Sequence, residues 1–251
     1  MENDSSLKLY DLHCHVLPGM DDGCRDVLES IQLLQKSRRQ NAAGLIATPH
    51  YYPQESVDAF LQRRQAAFEQ LKLNMELWNI AEPKLCLGAE VAWRSGISRE
   101  PKLAELCLGG SDYLLLELPF SKWDSSVLRE AEAIIQVRGL TPIIAHLERY
   151  AHFQDRKTLQ QLYGMNLLIQ MNAEYCLDPK TARKARKLIE DGIVQVLGSD
   201  SHNPDRRPPN LGPAVQKLKA GGGSAALRKV LKRNQDIFTQ AYSAAPADRR
   251  A

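Results

Sequence analysis

The sequence predicts an α/β protein built around a parallel barrel. Seven short runs rich in apolar and β-branched residues recur along the chain, and stretches with apolar residues three or four positions apart lie between them. Strands that alternate with helices are joined by right-handed crossovers and form a mostly parallel sheet. A chain of 251 residues accommodates seven such units, so we expect one domain with a closed or nearly closed barrel.

The element boundaries follow from the same periodicity. Strands are expected at residues 7–12, 44–48, 85–91, 113–118, 142–145, 167–171 and 193–198. Helices are expected at 25–39, 56–78, 125–138, 155–163 and 179–191, and then at 209–220 and 225–242, where the intervening GGGS indicates a flexible turn. We expect residues 1–251 to form a single domain in which 1–7 and 243–251 are flexible.

Composition excludes several classes of protein. The 33 basic and 30 acidic residues are mixed along the chain and leave a net charge of +3, which argues against a nucleic-acid groove or a membrane-binding face. The start of the chain lacks the pattern of a secretion signal, and no run of 18 apolar residues occurs, so we expect a soluble cytoplasmic protein. Five cysteines without a C-x-x-C pair indicate reduced, mostly buried thiols.

Ligand-type side chains recur where the predicted strands end. In a parallel barrel those ends converge on one mouth. Six of the seven strands bring a histidine or an acid there: His13 and His15, His50, Glu90, Glu117, His146, and Asp200 with His202. A lone histidine after a strand is more often a hydrogen-bonded surface residue than a ligand. Glu117 is harder to dismiss, because an acid inside the apolar run YLLLELPF is costly to bury without a cation.

The loop after the first strand extends this set. The run LHCHVLPGMDDG places His13 and His15 on one side of the strand, with Cys14 turned away. Of the two aspartates that follow, we expect Asp22 to be a ligand and Asp21 to serve the loop structure. Five of the six histidines then lie at strand ends, and we expect the sixth, His152, to be exposed.

The chemistry of the set suggests a polynuclear metal site. Imidazoles and carboxylates without thiolates suit Mn²⁺, Fe²⁺ or Zn²⁺, and nine such groups exceed the needs of one ion, so two or three ions are expected. Arg149 and the pair Arg206 and Arg207 follow His146 and His202 closely. Most loop arginines are simply solvated, but beside a metal site a guanidinium can hold two phosphate oxygens at once.

These motifs resemble a known family. DLHCH, PGMDDG, ATPHY, GAEV, LLLELP, AHLERY, MNAEY and GSDSHN with RRP occur in this order between about residues 8 and 240. They resemble the PHP (polymerase and histidinol phosphatase) superfamily, and within it the bacterial manganese-dependent protein-tyrosine phosphatases of capsule and exopolysaccharide operons. PGMDDG, ATPHY and HLERY are the most specific to that branch.

The resemblance implies a distorted (β/α)₇ barrel of the PHP type with up to three Mn²⁺ ions at the carboxyl ends of the strands. His13, His15, Glu90 and Asp200 would hold one ion, Glu90, Glu117 and His146 a second, and Asp22, His50 and His202 a third. Arg149 and one arginine of the neighbouring pair, Arg207 by its spacing from His202, would bind phosphate.

The implied reaction is hydrolysis of phosphotyrosine by a metal-bridging hydroxide. The implied substrate is a phosphotyrosine protein, namely a bacterial tyrosine autokinase that regulates polysaccharide assembly, and neither a nucleic acid nor a membrane is an implied partner.

Other reaction classes are weighed against this one. A phosphocysteine mechanism needs C-x₅-R, and no cysteine of the chain is followed by arginine at that spacing. The remaining alternatives are a PHP phosphoesterase that acts on histidinol phosphate, another small phosphomonoester or nucleotide 3′ ends, and an inactive metal-binding regulator. The near-neutral charge disfavours an exonuclease, and the intact ligand set disfavours an inactive regulator.

Overall fold

The computed structural model describes residues 7–222 and 224–251. Its strands are β1 Leu9–Cys14, β2 Ala42–Ala47, β3 His50–Tyr51, β4 Lys84–Leu87, β5 Glu90–Ala92, β6 Tyr113–Glu117, β7 Thr141–Ile144, β8 Leu168–Asn172 and β9 Val196–Gly198. Its helices are α1 Val27–Arg39, α2 Val57–Leu77, α3 Ser125–Arg138, α4 Arg156–Tyr163, α5 Ala173–Leu177, α6 Ala182–Glu190, α7 Leu211–Ala220 and α8 Ser224–Ala244. Short 3₁₀ turns occupy Ile97–Arg99, Leu103–Leu106, Leu147–Arg149 and Ala247–Arg249.

The strands form two parallel sheets that together curl into an open half-barrel. One sheet has the order β1-β2-β4 and the other the order β3-β5-β6-β7-β8-β9, and every strand pair is parallel. The first and last strands meet beyond their carboxyl ends: the Asp200 N–H donates to the His13 carbonyl and the His15 N–H to the Ser201 carbonyl, both at 2.8 Å. The predicted α/β class is confirmed, while a closed seven-stranded barrel stays a prediction.

One predicted strand is divided in the structure, and one short strand is additional. Strand β3 lies beyond the predicted strand at 44–48 and is separated from β2 by Thr48 and by Pro49, which has no N–H to donate. The predicted strand at 85–91 is interrupted at Gly88 and Ala89, between β4 and β5, where the Gly88 N–H still donates to the Ala47 carbonyl at 2.8 Å. Seven predicted strands therefore become nine.

Smaller differences concern helix ends. The predicted strand at 193–198 begins only at Val196, because the Ile193 and Val194 N–H groups both donate to the Leu188 carbonyl and belong to the end of α6. Helix α5 and the 3₁₀ turns between β5 and β6 are absent from the prediction. Their segments are too short to display a helical period.

Side-chain caps define where the longer helices begin. Asp26, Ser56, Asp124 and Asp155 precede α1, α2, α3 and α4, and each side chain accepts a hydrogen bond from a backbone N–H of the first turn. These bonds satisfy donors that have no partner within a helix. Gly139 ends α3 at φ 67°, a conformation that glycine adopts without a steric penalty.

The core has an inner and an outer part. Side chains on the concave side of the sheet, among them Leu12, Ile46, Leu115 and Val196, pack against Phe238 and other residues of α8. The larger outer cluster fills the space between the sheet and the surrounding helices. Helix α8 therefore closes the interior, as side chains fill the interior of parallel barrels.

One end of the described chain pairs with the edge of a sheet. Residues 1–6 lie outside the described part, as does residue 223 of the predicted flexible turn. At the other end, expected to be flexible, the backbone N–H and C=O of Ala251 pair with the C=O and N–H of Leu85, both at 2.7 Å. The exposed edge of β4 offers those groups a partner, so this end packs on the sheet. The single-domain assignment stays a prediction.

Candidate metal centre

All nine residues predicted as ligands converge at the carboxyl ends of the strands. His13 lies in β1, His50 begins β3, Glu90 begins β5 and Glu117 ends β6, while His15, Asp22, His146, Asp200 and His202 lie in the loops that follow strands. The arrangement is possible because loops at this end of a parallel sheet meet at one mouth. That these residues bind metal stays a prediction.

The first group surrounds the end of β1. Ligand atoms of His13, His15 and Asp200 lie within 4.8 Å of one another. Glu90 joins them, since its Oε2 is 3.1 Å from His13 Nε2 and 3.3 Å from His15 Nε2. Cys14, between the histidines, points away and donates to the Ile46 carbonyl at 3.3 Å, as alternation along a strand requires.

Glu90 also connects to a second group. His50, Glu90 and Glu117 offer ligand atoms within 4.8 Å of one another. His146 Nε2 lies 2.8 Å from Glu90 Oε1 and 3.5 Å from Glu117 Oε1. The two oxygens of Glu90 therefore face different partners, which is the geometry that a bridging carboxylate needs.

The third group lies nearest to solvent. It contains His15, Asp22, His50 and His202, again within 4.8 Å. Asp22 Oδ1 is 3.3 Å from His202 Nε2 and 3.5 Å from His50 Nε2. The Asp22 side chain is 66 % exposed, so the centre opens to solvent at this edge.

The buried charges of the centre depend on one another. Burial alone would raise the pKa of Glu90, but the charge of His13 and the hydrogen bond with His146 hold it well below its usual range. Burial alone would lower the pKa of His146, yet hydrogen bonds to Glu117 and Glu90 raise it to about 9. Burial and the neighbouring charge of His15 lower the pKa of His202 to about 3. The His146 imidazole is therefore protonated near neutral pH and balances part of the negative charge of Glu90 and Glu117.

Several polar atoms at the centre have no hydrogen-bond partner. Glu90 Oε2, His50 Nδ1, His146 Nδ1 and His202 Nε2 are buried and unsatisfied. Leaving such atoms unpaired is costly, and imidazole nitrogens and carboxylate oxygens are the donors that Mn²⁺, Fe²⁺ and Zn²⁺ accept. The residues present therefore fit a divalent metal.

Two proposed ligands also have unusual backbone conformations. Among the described non-glycine residues, positive φ occurs at Asn41, Asn79, His146 (31°) and Asp200 (53°). Asparagine, aspartate and histidine are the non-glycine residues most often found in this region, but His146, at φ 31° and ψ 60°, lies outside its usual φ range of about 50–70°. Strain of this kind persists where the surrounding structure imposes it, and it is concentrated at functional sites.

Three supporting residues were not predicted as part of the site. Asp21, expected only to serve the loop, accepts from His15 Nδ1 at 2.7 Å and from the His50 N–H at 2.8 Å. Gln170 Oε1 accepts from His13 Nδ1 at 3.3 Å and from the His146 N–H at 2.6 Å. Asn172 Nδ2 donates to Asp200 Oδ2 at 2.7 Å. Such partners fix ring orientation and tautomer.

A signal for two of them was present in the sequence. Gln170 and Asn172 lie in and directly after the predicted strand at 167–171, the one predicted strand that brings no histidine or acid to the rim. A buried polar side chain in such a strand requires a hydrogen-bond partner. Strand β8 therefore contributes amides that orient His13, His146 and Asp200.

Two arginines reach the centre through Asp200. Arg149 and Arg207 each donate from one amino group to Asp200 Oδ2, at 2.5 and 2.8 Å. Arg207 also lies 3.7 Å from Asp22 Oδ2. Arg206 is exposed, and its backbone N–H donates to Asn203 Oδ1. Of the neighbouring pair, it is Arg207 whose guanidinium contacts the centre.

The cysteines and His152 lie as predicted. All five cysteines are free and buried. His152 is exposed, and its ring contacts Phe153.

Residues 9–239 match the family model described as "Capsular polysaccharide synthesis, CpsB/CapC". The chain belongs to this family. The tyrosine-protein phosphatase CpsB of Streptococcus agalactiae serotype III is 26% identical over 93% of this chain and 100% of that protein. The tyrosine-protein phosphatase YwqE of Bacillus subtilis is 28% identical over 92% and 94%.

A solved structure shares the fold of this CpsB/CapC family member. It comes from work on YwqE of Bacillus subtilis and CpsB of Streptococcus pneumoniae, described there as "unique metal-dependent tyrosine phosphatases". It superposes with a TM-score of 0.80 at 24% identity, and covers 92% of this chain and 95% of the other. The curled α/β architecture is therefore common to both. Within the described residues, no helix combines the length and the apolar character needed to cross a bilayer.

Proposed function

We propose that the protein is a metal-dependent phosphatase that hydrolyses phosphotyrosine in proteins. The observation that carries the proposal is that nine histidine, aspartate and glutamate side chains converge on one mouth, where Arg149 and Arg207 both donate to Asp200. Membership of the CpsB/CapC family and similarity to proteins named tyrosine-protein phosphatases support it.

We assign the nine residues to two or three Mn²⁺ ions within a distorted (β/α)₇ barrel of the PHP type. His13, His15, Glu90 and Asp200 would hold one ion, Glu90, Glu117 and His146 the next, and Asp22, His50 and His202 the third. When bound, such ions lower the pKa of water towards neutrality and neutralise phosphoryl oxygens. The ligand-atom groups and the unsatisfied buried atoms support the assignment.

The two arginines would bind the phosphoryl group. Each guanidinium donates from one amino group to Asp200 Oδ2. Its remaining N–H groups are available to donate to phosphate oxygens. Because Asp200 holds them in place before substrate arrives, little reorganisation is needed to stabilise the charge of the transition state. The phenolate of tyrosine, with a pKa of about 10, leaves without strong demand for a general acid.

Thiol chemistry is an unfavourable alternative. Burial raises the pKa of Cys24, Cys86, Cys107 and Cys176 to about 12. Burial likewise raises the pKa of Cys14 well above its usual range. A nucleophilic cysteine needs the opposite, a depressed pKa and access to substrate. None of the five meets these conditions.

A substrate panel tests the proposal. Purified protein would be analysed for bound metal and supplied with Mn²⁺, then offered a phosphotyrosine peptide, histidinol phosphate and a 3′-nucleotide. We expect kcat/KM to be highest for the phosphotyrosine peptide and activity to disappear with a chelator. Preference for histidinol phosphate or the nucleotide, or full activity without metal, would overturn the proposal.

We further propose that the physiological substrate is a bacterial tyrosine autokinase that regulates capsule or exopolysaccharide synthesis. The match to a capsular polysaccharide synthesis family supports this partner. The test is loss of phosphotyrosine from an autophosphorylated kinase of the same operon, with His146→Ala protein as the control. No loss from the kinase, alongside activity on peptides, would remove the kinase and leave the phosphatase.

A further inference from the structure

Two exposed aromatic side chains lie against the imidazoles of the metal centre. Eight large apolar or aromatic side chains are exposed in the described part of the chain, and Tyr52 (50 % exposed) and Phe120 (46 %) are among them. The Tyr52 ring stacks on His50, with centroids 5.2 Å apart and an interplanar angle of 22°. The Phe120 ring stacks on His146, at 5.6 Å and 22°.

Each ring lies against an imidazole that contacts Glu90. His50 contacts Glu90 Oε2 at 3.1 Å and His146 contacts Glu90 Oε1 at 2.8 Å. Tyr52 and Phe120 therefore stand beside the two imidazoles that approach Glu90 through its different oxygens. Each of the two residues is about half exposed, so part of its apolar surface is available to a ligand.

Phe120 packs on one side against other aromatic side chains. Its ring packs 5.5 Å from that of Tyr150, which packs 5.4 Å from Trp123. The buried Tyr150 hydroxyl accepts a hydrogen bond from the Leu118 N–H at 2.9 Å and thereby fixes the loop two residues before Phe120. A ring fixed in advance loses little conformational entropy when it binds a ligand.

Tyr52 borders open space next to the centre. A cavity of about 600 Å³ is lined by Tyr52, His50, Asp22, Met20 and Arg63, among others. That volume is within the usual range for small-ligand sites and exceeds what a phosphate group alone requires. The space beside Tyr52 can therefore receive the organic part of a phosphomonoester.

We propose that Tyr52 and Phe120 are specificity-determining residues that bind the aromatic ring of the substrate and so favour aryl over alkyl phosphomonoesters. The inference rests on the proposed phosphatase function and deepens it. Aromatic rings interact favourably in stacked or edge-to-face arrangements beyond simple burial of area. An alkyl phosphate, such as phosphoserine, would leave both rings uncovered.

Binding of two phosphonates separates ring recognition from catalysis. Phenylphosphonate and methylphosphonate share a head group, differ in the ring and are not hydrolysed. Calorimetry on Mn²⁺-loaded protein would give the ratio of their dissociation constants. We expect wild-type protein to prefer phenylphosphonate, and the double variant Tyr52→Ala/Phe120→Ala to reduce that preference about tenfold. The variants Tyr52→Phe and Phe120→Tyr keep the rings and should keep the preference.

A control variant and metal analysis exclude indirect effects. Trp78, 53 % exposed, follows the far end of the 21-residue helix α2, about 30 Å along the axis from its start. Trp78→Ala should retain the wild-type ratio. An unchanged ratio in the double variant, no wild-type preference, or a tenfold loss accompanied by loss of bound metal would overturn the inference, since the last outcome makes the rings supports for the imidazoles.

The same experiments distinguish failure of the phosphatase assignment from failure of the aryl site. If phenylphosphonate binding depends on both rings but no phosphotyrosine peptide is hydrolysed, the phosphatase assignment is wrong and the aryl site remains. If the peptide is hydrolysed and the double variant keeps the wild-type binding ratio, the phosphatase assignment remains and the aryl site is wrong.

Discussion

Adjacent residues take different tasks at the metal centre. Asp21 is nearly buried and binds His15 and the His50 backbone, whereas the Asp22 side chain is 66 % exposed and faces His50 and His202. Burial alone would raise the pKa of Asp21, but its hydrogen bond with His15 lowers it below the usual range. The pair thus provides one residue that orients a ligand and one proposed ligand.

Neutralising Asp21 tests its orienting role. Asp21→Asn removes the charge that holds the His15 ring, so we expect metal affinity to fall about 10–100-fold, as for other residues that orient ligands. The measurement is Mn²⁺ titration by calorimetry. Asp236→Asn, which removes a carboxylate paired with Lys232 on α8, should bind Mn²⁺ like wild type. Equal affinity in Asp21→Asn and wild type would contradict the role.

Substitution of Arg206 and Arg207 tests which of the two neighbouring arginines binds phosphate. Arg207 donates to Asp200 while Arg206 is exposed. Loss of one preorganised donor costs about 10²–10³ in rate, so we expect Arg207→Ala to lower kcat by that factor on a phosphotyrosine peptide. Arg206→Ala should stay within about threefold of wild type, as surface substitutions usually have small effects. The reverse order would assign phosphate binding to Arg206.

Helix α8 is the element that fills the interior of the curled sheet. Phe238 is buried among Leu12, Ile46 and Val196 from three strands. Gly44 in β2 makes room for its ring, since a Cβ at that position would lie 2.3 Å from Phe238 Cζ. The absence of a side chain at one strand position therefore decides how closely α8 approaches the sheet.

A single added methyl group tests this packing. We expect Gly44→Ala to lower the free energy of unfolding by about 1–3 kcal/mol, because overpacking forces side chains or backbone to shift. Gly164→Ala is the matched control: its φ of −85° suits alanine, and the nearest atom to its Cβ lies 3.5 Å away. It should change stability by less than about 0.5 kcal/mol. Urea denaturation measures both, and equal effects would show that Phe238 is not confined.

On the scale of the whole molecule, the centre joins the two ends of the sheet. Its carboxylates are Asp22, Glu90, Glu117 and Asp200, and they come from loops and strands between β1 and β9. Burying Glu90, Glu117 and Asp200 close together opposes folding unless cations neutralise them. Metal binding would therefore stabilise the contact between the first and last strands.

Metal removal tests this coupling. A ligand that binds only the folded state stabilises it by about 2.7–4.1 kcal/mol at 100–1,000 times its Kd. For a chain of this size that corresponds to a fall in Tm of about 5–15 °C on chelation. Differential scanning calorimetry with and without chelator measures it, and added Mn²⁺ should restore Tm. His146→Ala should show a smaller shift. Identical Tm values for wild type in both conditions would contradict the coupling.

The α/β class and the convergence of the nine side chains could be predicted from the sequence. Both depend on local information: strand and helix periods are visible within short windows, and residues at the ends of parallel strands must share one mouth. The choice of Arg207 over Arg206, by contrast, depends on its distance to Asp200. Likewise, the orienting role of Gln170 towards His13 joins residues 157 positions apart.

The interruptions of the sheet and the contacts of two exposed rings likewise depend on tertiary structure. Pro49 separates β2 from β3, Gly88 and Ala89 separate β4 from β5, and Tyr52 and Phe120 stack on imidazoles of the centre. These features depend on which elements meet in space. A linear pattern specifies the residues that an element presents, but the packing of distant elements decides what each residue contacts.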